Sequence, residues 1–482
     1  MTFESERGNW GVRVGSGVES ASLTDVRIMG TSGNREGKGV IMGGTKMTMT
    51  NVDISKVKVG VEVQAGTLNM MGGTVTFEGG NGNWGVKVEN GATANLMGVA
   101  IMGTSGGKGV WMEGTGGTMT MNMVNISEVQ TGIQVTSGNL TVSGGEMTGV
   151  QTGITMSGSG TLMVNNNAKI TFKGDHGVKV GESVKSASLM GVTIMGTSGG
   201  KGVLMNGREM TISGGSISNV AMGVEATAGN LTIKGHSTIT FTSGAGNYGV
   251  RVGSGASADL TDVTIKGGGA TGKGVWMEGK MLKMTNGEIS NVDKGVYVGG
   301  AVTNASLTNV NISGVKVGVE ATNGTLTVNE GTRITFTGSG QGVKVESGVT
   351  SASLTDVRIV GGGSGKGTGV IKEGEGGMTL TSVGISNVAM GVEATAGRLE
   401  IKGGSIEFTN SGMENYGVKV GSAVTSATLT SVTIEGGGSG HGNGGGYGGD
   451  GGDDDGEGDD FKCSNGGRGN SGDVGDKGWD ED

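Results

Sequence analysis

The chain has 482 residues, no proline, one cysteine and only 3% aromatic residues. Each shortage excludes something. With Cys463 alone, no intrachain disulfide can form, so stability must come from the backbone and from stacked aliphatic side chains. The absence of proline suits continuous hydrogen-bonded ladders, because proline cannot donate to one. It also rules out collagen, which needs proline and a strict three-residue period. No apolar run reaches the roughly 18 residues of a membrane-spanning helix. An excess of positive charge is missing too: the formal net charge is −9. From Gly436 onward there are 12 acidic and 3 basic residues, so the acidic balance lies there and residues 1–435 sum to zero. Nucleic-acid binding driven by clustered Lys and Arg is therefore not expected. The opening Met1-Thr2-Phe3-Glu4-Ser5 lacks the basic and then apolar segments of a secretion signal.

Glycine, by contrast, is abundant, at 109 residues. A glycine followed by Val or Ile opens a recurring pair of segments 18 times from Val12 to Val418, which is 406 residues over 17 intervals, about 24 each. A fixed period in that range is the mark of a solenoid. One coil reads Gly11-Val12-Arg13-Val14, a Gly/Ser turn, and then Leu23-Thr24-Asp25-Val26-Arg27-Ile28. Apolar and polar residues alternate within each run, as half-buried strands require. Val12, Val14, Val26 and Ile28 are expected inside, Arg13 and Arg27 outside. Three short strands per coil leave no room for a helix. The sequence thus predicts an all-β fold, a right-handed single-stranded parallel β-helix of about 18 coils over residues 1–435. At ~4.8 Å per coil that makes a rod of roughly 85 Å. Residues 436–482, rich in Gly and Asp, are expected to form a disordered acidic tail. A longer repeat, Gly-Asn-Trp/Tyr-Gly-Val-Lys/Arg-Val, spaces Val12, Val86, Val178, Val250, Val343 and Val418 by 74, 92, 72, 93 and 75 residues, as if whole coils had been gained or lost.

The outward position of the first strand carries the candidate chemistry. Glu62, Glu225, Glu320 and Glu393 are each followed one coil later by a base: Lys87, Arg251, Lys344 and Lys419. Stacked opposite charges of this kind predict a structural ladder that fixes register. A catalytic carboxylate pair would instead be a single break in the repeat. Ile41, Trp111, Leu204, Trp276 and Ile371 share that outward column and are candidate contact points for a partner, unless the preceding Gly/Ser loops cover them. Thr is frequent after the Leu or Met of the second strand. Met97, Met163, Met190 and Glu400 interrupt the column, so it is read as strand propensity and not as an ice-binding array. His176, His236 and His441 are scattered, and no Ser–His–Asp set or metal-ligand spacing occurs. Gly445 to Asp450 lacks the recurrence of calcium-binding nonapeptides. No catalytic, cofactor or metal residues are assigned.

Gly223-Val224-Glu225-Ala226-Thr227 with Leu231 to Gly235, its near copy at Gly391-Val392-Glu393-Ala394-Thr395 with Leu399 to Gly403, and the Leu-Thr-Asp-Val series carry a resemblance. Over about residues 8–435 the chain resembles the pertactin-like passenger domains of Gram-negative autotransporters, those of the Bartonella type in particular. The resemblance implies a secreted or surface-exposed rod used for adhesion or contact with host cells, through a host-cell protein or glycan; the chain is expected to be a monomer and, from its repeating charge ladder, not an enzyme. Neither a signal peptide nor a C-terminal membrane barrel is read in the sequence. Two further readings remain open: a pectin-lyase-like carbohydrate-active enzyme on the same scaffold, and a truncated passenger fragment without function.

Overall fold

The computed structural model describes residues 1–31, 36–89, 91–104, 106–197, 199–362, 366–409 and 415–437, and the backbone of 443–448 and 462–465. It is an all-β parallel solenoid of about 18 turns. There is no helix among the described residues, and so none long and apolar enough to cross a membrane. The chain divides into two compact units, Met1–Thr242 and Ser243–Asp482.

In the first unit each turn contributes three strands. Trp84–Val88, Thr93–Met97 and Ala100–Gly103 are followed by Lys108–Met112, Thr118–Asn122 and Asn125–Ser127. Each strand pairs in parallel with its counterpart one turn on: Val86 faces Val110, Leu96 faces Met121 and Ile101 faces Ile126. Identical positions therefore stack in columns, and the interior is a set of aliphatic columns such as Val61, Val86, Val110 and Ile133, each fully buried. The second unit repeats this arrangement, with Val275, Val296, Val319 and Val343 in the same role. There the ladder pairing often runs on through the corners, giving long strands such as Asn311–Asn329 and Arg333–Thr355, with Gly314, Gly324 and Gly338 taking left-handed φ within them.

Two backbone devices explain the sequence pattern. The first is the glycine before each Val. A Cβ on Gly85 would stand 2.3 Å from Ile101 Cγ2 and 2.7 Å from the Gly109 carbonyl oxygen. The first and third strands thus touch through a column without side chains, and both the glycine and the following Val turn inward. This is close approach, not unusual φ. The second device is the corner after the second strand. Asp25, Asn51, Asp262, Asn286, Asn309 and Asp356 all have φ between 51° and 56° there. Asn and Asp tolerate the left-handed region best among non-glycine residues. Their side chains also link turns: Asn51 Nδ2 donates to Asp25 Oδ1 at 3.2 Å, and Asn309 Nδ2 to Asn286 Oδ1 at 2.9 Å. The Leu-Thr-Asp-Val series is the sequence trace of this corner.

At the first turn Thr2–Phe3 pairs with Met29 and Gly30, and Ser5 is buried, its hydroxyl accepting from the Gly37 N–H at 3.0 Å. In the region expected to be a disordered tail, Thr433–Gly437 closes a strand, and Asn443–Gly448 and Lys462–Asn465 pair in parallel with strands of the turn before. The rest of that region, with His441 and Asp450, lies outside the described residues.

Candidate interaction face

The first strand of every turn carries two positions that point away from the aliphatic columns, x and z, in the pattern x-Gly-Val-z; several are nonetheless covered, Val59 and Tyr248 at x and Glu62 and Glu320 at z among them. In register they form two parallel columns. In the first unit one column runs Val59, Trp84, Lys108, Thr131 and the other Glu62, Lys87, Trp111, Gln134. In the second unit they run Tyr248, Lys273, Lys294 and Arg251, Trp276, Tyr297.

Aromatic residues sort themselves sharply between this face and the core. Every Trp and Tyr whose side chain is described belongs to the two columns: Trp10, Trp84, Trp111, Tyr248, Trp276, Tyr297 and Tyr416. The phenylalanines go inward instead. Phe77, Phe172, Phe241, Phe336 and Phe408 end their third strands almost fully buried. A ring without a polar atom suits the dry column; the indole and phenol rings lie off it, exposed at Trp10, buried at Tyr248 and half-buried at the others.

The rings meet each other and the bases. Trp84 and Trp111 pack edge to face, 5.0 Å apart at 69°. Lys87 lies 5.0 Å from one ring centre and 4.7 Å from the other, and Lys108 lies 4.6 Å from Trp111. In the second unit Trp276 is edge to face with Tyr248 at 6.0 Å and with Tyr297 at 6.4 Å. Arg251 stands over Trp276 at 4.6 Å, Lys273 over it at 4.0 Å, and Lys294 over Tyr297 at 5.2 Å. Such cation–π contacts contribute about 0.5–2 kcal/mol each, depending on exposure. The indole N–H groups of Trp84, Trp111 and Trp276 are buried without an acceptor among the described residues.

The expected contact residues divide. Ile41 and Ile371 are buried, at 7% and 9% exposure, while Trp111, Leu204 and Trp276 are half-buried. Three rungs of the charge ladder are in register: Lys87 faces Glu62, Lys344 faces Glu320 and Lys419 faces Glu393. Its ion pairs mostly run on the diagonal, however. Glu393 does take Lys419, at 3.1 Å. Glu62 takes Lys38, Glu225 takes Lys201 and Glu320 takes Lys294, each at 2.6 Å. These lysines occupy the x position one turn earlier, and their long stems reach across to z. Lys87 turns to Glu89 and to Glu113, the latter at 2.6 Å. Lys344 turns to Glu346 at 2.8 Å and Glu373 at 3.7 Å, and Arg251 to Glu278 at 2.8 Å. Burial opposes the charge on Lys87, but hydrogen bonds to Glu113 and Glu89 outweigh it and hold its pKa above the ordinary lysine value. The convergence of two carboxylates on one lysine is repeated at Lys344, so it belongs to the ladder and is not a single break in it.

Two side chains do break the pattern. Lys372 occupies an inward position, between Val345 and Ala394 in its column, with 1% exposure. Its ammonium donates to the carbonyl oxygens of Gly374, at 2.6 Å, and Ala396. Burial lowers its pKa, with Glu375 pulling the other way. His176, at an x position, shares a hydrogen bond of 2.8 Å with the Thr155 hydroxyl. Burial, followed by the positive charges of Lys179 and Lys201 against the negative charge of Asp175, brings its pKa down to about 4. Among the described residues, no group of three His, Cys, Asp or Glu side chains could hold a metal ion.

Sequence reasoning missed the x column. Its signal was present in the repeated Asn-Trp/Tyr-Gly-Val element, but strict alternation puts x inside and misassigns it. Lys372 was also legible, as a Lys where other turns have Val, Met or Ala.

These features define a parallel β-solenoid whose first strands carry an aromatic and basic outer face. No family model matches the sequence, and no curated protein matches it.

Proposed function

We propose that this chain is a non-enzymatic β-helical scaffold, secreted or displayed on a cell surface in the manner of an autotransporter passenger, that makes adhesive contact through the first-strand face. The observation that carries the reading is the segregation of every described Trp and Tyr side chain to that face, while Phe fills the core. Trp and Tyr are the residues that most often anchor contacts, because they bury large areas at small entropic cost. The competing reading, a carbohydrate-active enzyme, requires a unique carboxylate pair in a groove. Here the carboxylates of this face belong to ion pairs that recur from turn to turn.

The test is to fractionate the producing cell and to measure adhesion of the purified chain to host cells. Surface location with adhesion that falls in a Trp84→Ala/Trp111→Ala variant supports the proposal. A strictly internal location, or adhesion indifferent to these rings, removes it.

A further inference from the structure

The proposal above leaves the chemistry of the partner open, and the first-strand face narrows it. The same four-residue square occurs in both units. Trp84-Gly-Val-Lys87 is followed by Lys108-Gly-Val-Trp111, and Tyr248-Gly-Val-Arg251 by Lys273-Gly-Val-Trp276. Each places rings and cations at alternate corners, one turn apart in register. In each square one ammonium has no carboxylate at ion-pair distance, although Asp293, Glu320 and Glu278 act on Lys273 from farther away. Lys108 and Lys273 form no ion pair among the described residues, and both lie against ring faces. In the same columns Lys38 is matched by Glu62, Lys201 by Glu225 and Lys294 by Glu320, while Lys179, like Lys108 and Lys273, forms no ion pair among the described residues. Lys273 also stands in register beside Lys294, two like charges one rung apart. That arrangement is unfavourable for a purely structural ladder.

We infer that these two squares are binding sites for an acidic polysaccharide, with a sugar ring packed on the exposed part of the indole and a sulfate or carboxylate held by Lys108 or Lys273. Apolar C–H groups of a pyranose suit the half-buried indoles of Trp84, Trp111 and Trp276, beside the cations already on them. An anion beside Lys273 relieves its repulsion with Lys294. The sparse charge of a glycan matches one unpaired lysine per square. The dense charge of a nucleic acid does not, because Glu89 and Glu113 flank the first square and Glu278 the second. The inference rests on the adhesive reading of this face and specifies its partner.

The probes are heparin, its desulfated form that keeps the carboxylates, dextran as a neutral control, and a single-stranded oligonucleotide, each titrated against the full chain by calorimetry. Heparin is expected to bind with an affinity that falls as salt rises, and dextran not to bind. Desulfated heparin that retains affinity assigns the contact to the carboxylate, and lost affinity assigns it to the sulfate. Lys108→Gln and Lys273→Gln are each expected to weaken their own site about tenfold, the loss of one charge-assisted hydrogen bond. Circular dichroism and unchanged thermal unfolding identify these variants as folded. No heparin binding by the wild-type chain, equal binding by the double variant, or preference for the oligonucleotide overturns the inference. Host-cell adhesion that survives in the Lys108→Gln/Lys273→Gln variant but falls in Trp84→Ala/Trp111→Ala also overturns it, while the adhesive reading stands. Absence of any adhesion by the wild type removes that reading itself.

Discussion

Gly109→Ala tests the close contact on which the repeat depends. A methyl group on Gly109 would lie 2.5 Å from Ile126 Cγ2 and 2.7 Å from the Gly132 carbonyl oxygen. Ile126 is fully buried and the Gly132 carbonyl lies in the backbone of the next turn, so neither can move cheaply. Overpacking of this kind costs about 1–3 kcal/mol. The upper half applies here, because part of the obstruction is backbone, although alanine recovers roughly 0.5–1 kcal/mol of strand propensity. The net expectation is about 2 kcal/mol. Gly132→Ala is the built-in comparison, since its first-strand glycine faces the same kind of carbonyl, Gly153 at 2.7 Å, but a flexible neighbour, Met147 Sδ at 3.0 Å. It should cost about half as much. In the pair Gly109→Ala/Ile126→Ala one of the two obstructions is gone, so the double variant should be less destabilised than the sum of the singles by about 1 kcal/mol. Urea unfolding followed by the fluorescence of Trp84 and Trp111, with Trp10, Trp276 and Trp479 replaced by Phe, reads the effect locally. Stacked turns need not unfold in one step, so hydrogen exchange of the neighbouring strand is the companion measurement. Equal costs for Gly109→Ala and Gly132→Ala, or a double variant no better than additive, would refute the close-approach account.

Three further predictions concern residues that break a rule. Met123 holds φ at 53° in the corner column that elsewhere favours Asn, Asp and Gly, and its side chain is 61% exposed. Met123→Asn should stabilise the chain by about 0.5–1 kcal/mol, seen as a raised urea midpoint; a lowered one contradicts the strain argument. The pKa of His176, lowered to about 4 from 6.5, means that the unfolded chain binds its proton first as pH falls. Stability from this residue is complete above pH 6.5 and lost between there and pH 4, so His176→Gln should flatten the fall in melting temperature over that window. Parallel profiles for the two proteins would show that His176 does not carry the titration. Lys372 likewise has a lowered folded pKa, so its unfolded form keeps the proton longer as pH rises. The wild type should therefore gain stability relative to Lys372→Met as pH climbs from neutrality towards 10.5, and a constant difference across that range would reject the assignment.

The solenoid was legible because its columns demand the same residue type at the same place in every turn. Val86 and Val110 had to be alike since each forms the floor of the next. The Asp25 and Asn51 corners were legible as a motif, though their left-handed backbone was not stated by it. The face was half legible. Trp111 and Trp276 follow from alternation, but Trp84, Lys108, Tyr248 and Lys273 do not, because the strand turns two successive residues inward at glycine and shifts the alternation by one. The ion pair at Glu393 and Lys419 followed register. At Glu62 and Glu320 the choice depended on how far a lysine stem from the turn before could reach.

By itself, then, the order of residues determined the period, the three strands per turn and the inward columns, since burial acts on residue type and backbone pairing on spacing. The tertiary structure alone decided which outer side chains meet. Most of those contacts join residues 21 to 29 positions apart, from Thr74 with Asp53 to Lys344 with Glu373, across turns whose relative placement no local pattern states. It also decided that Lys372 lies sealed in the interior with two carbonyl partners, because only the folded corner brings Gly374 and Ala396 to the same point.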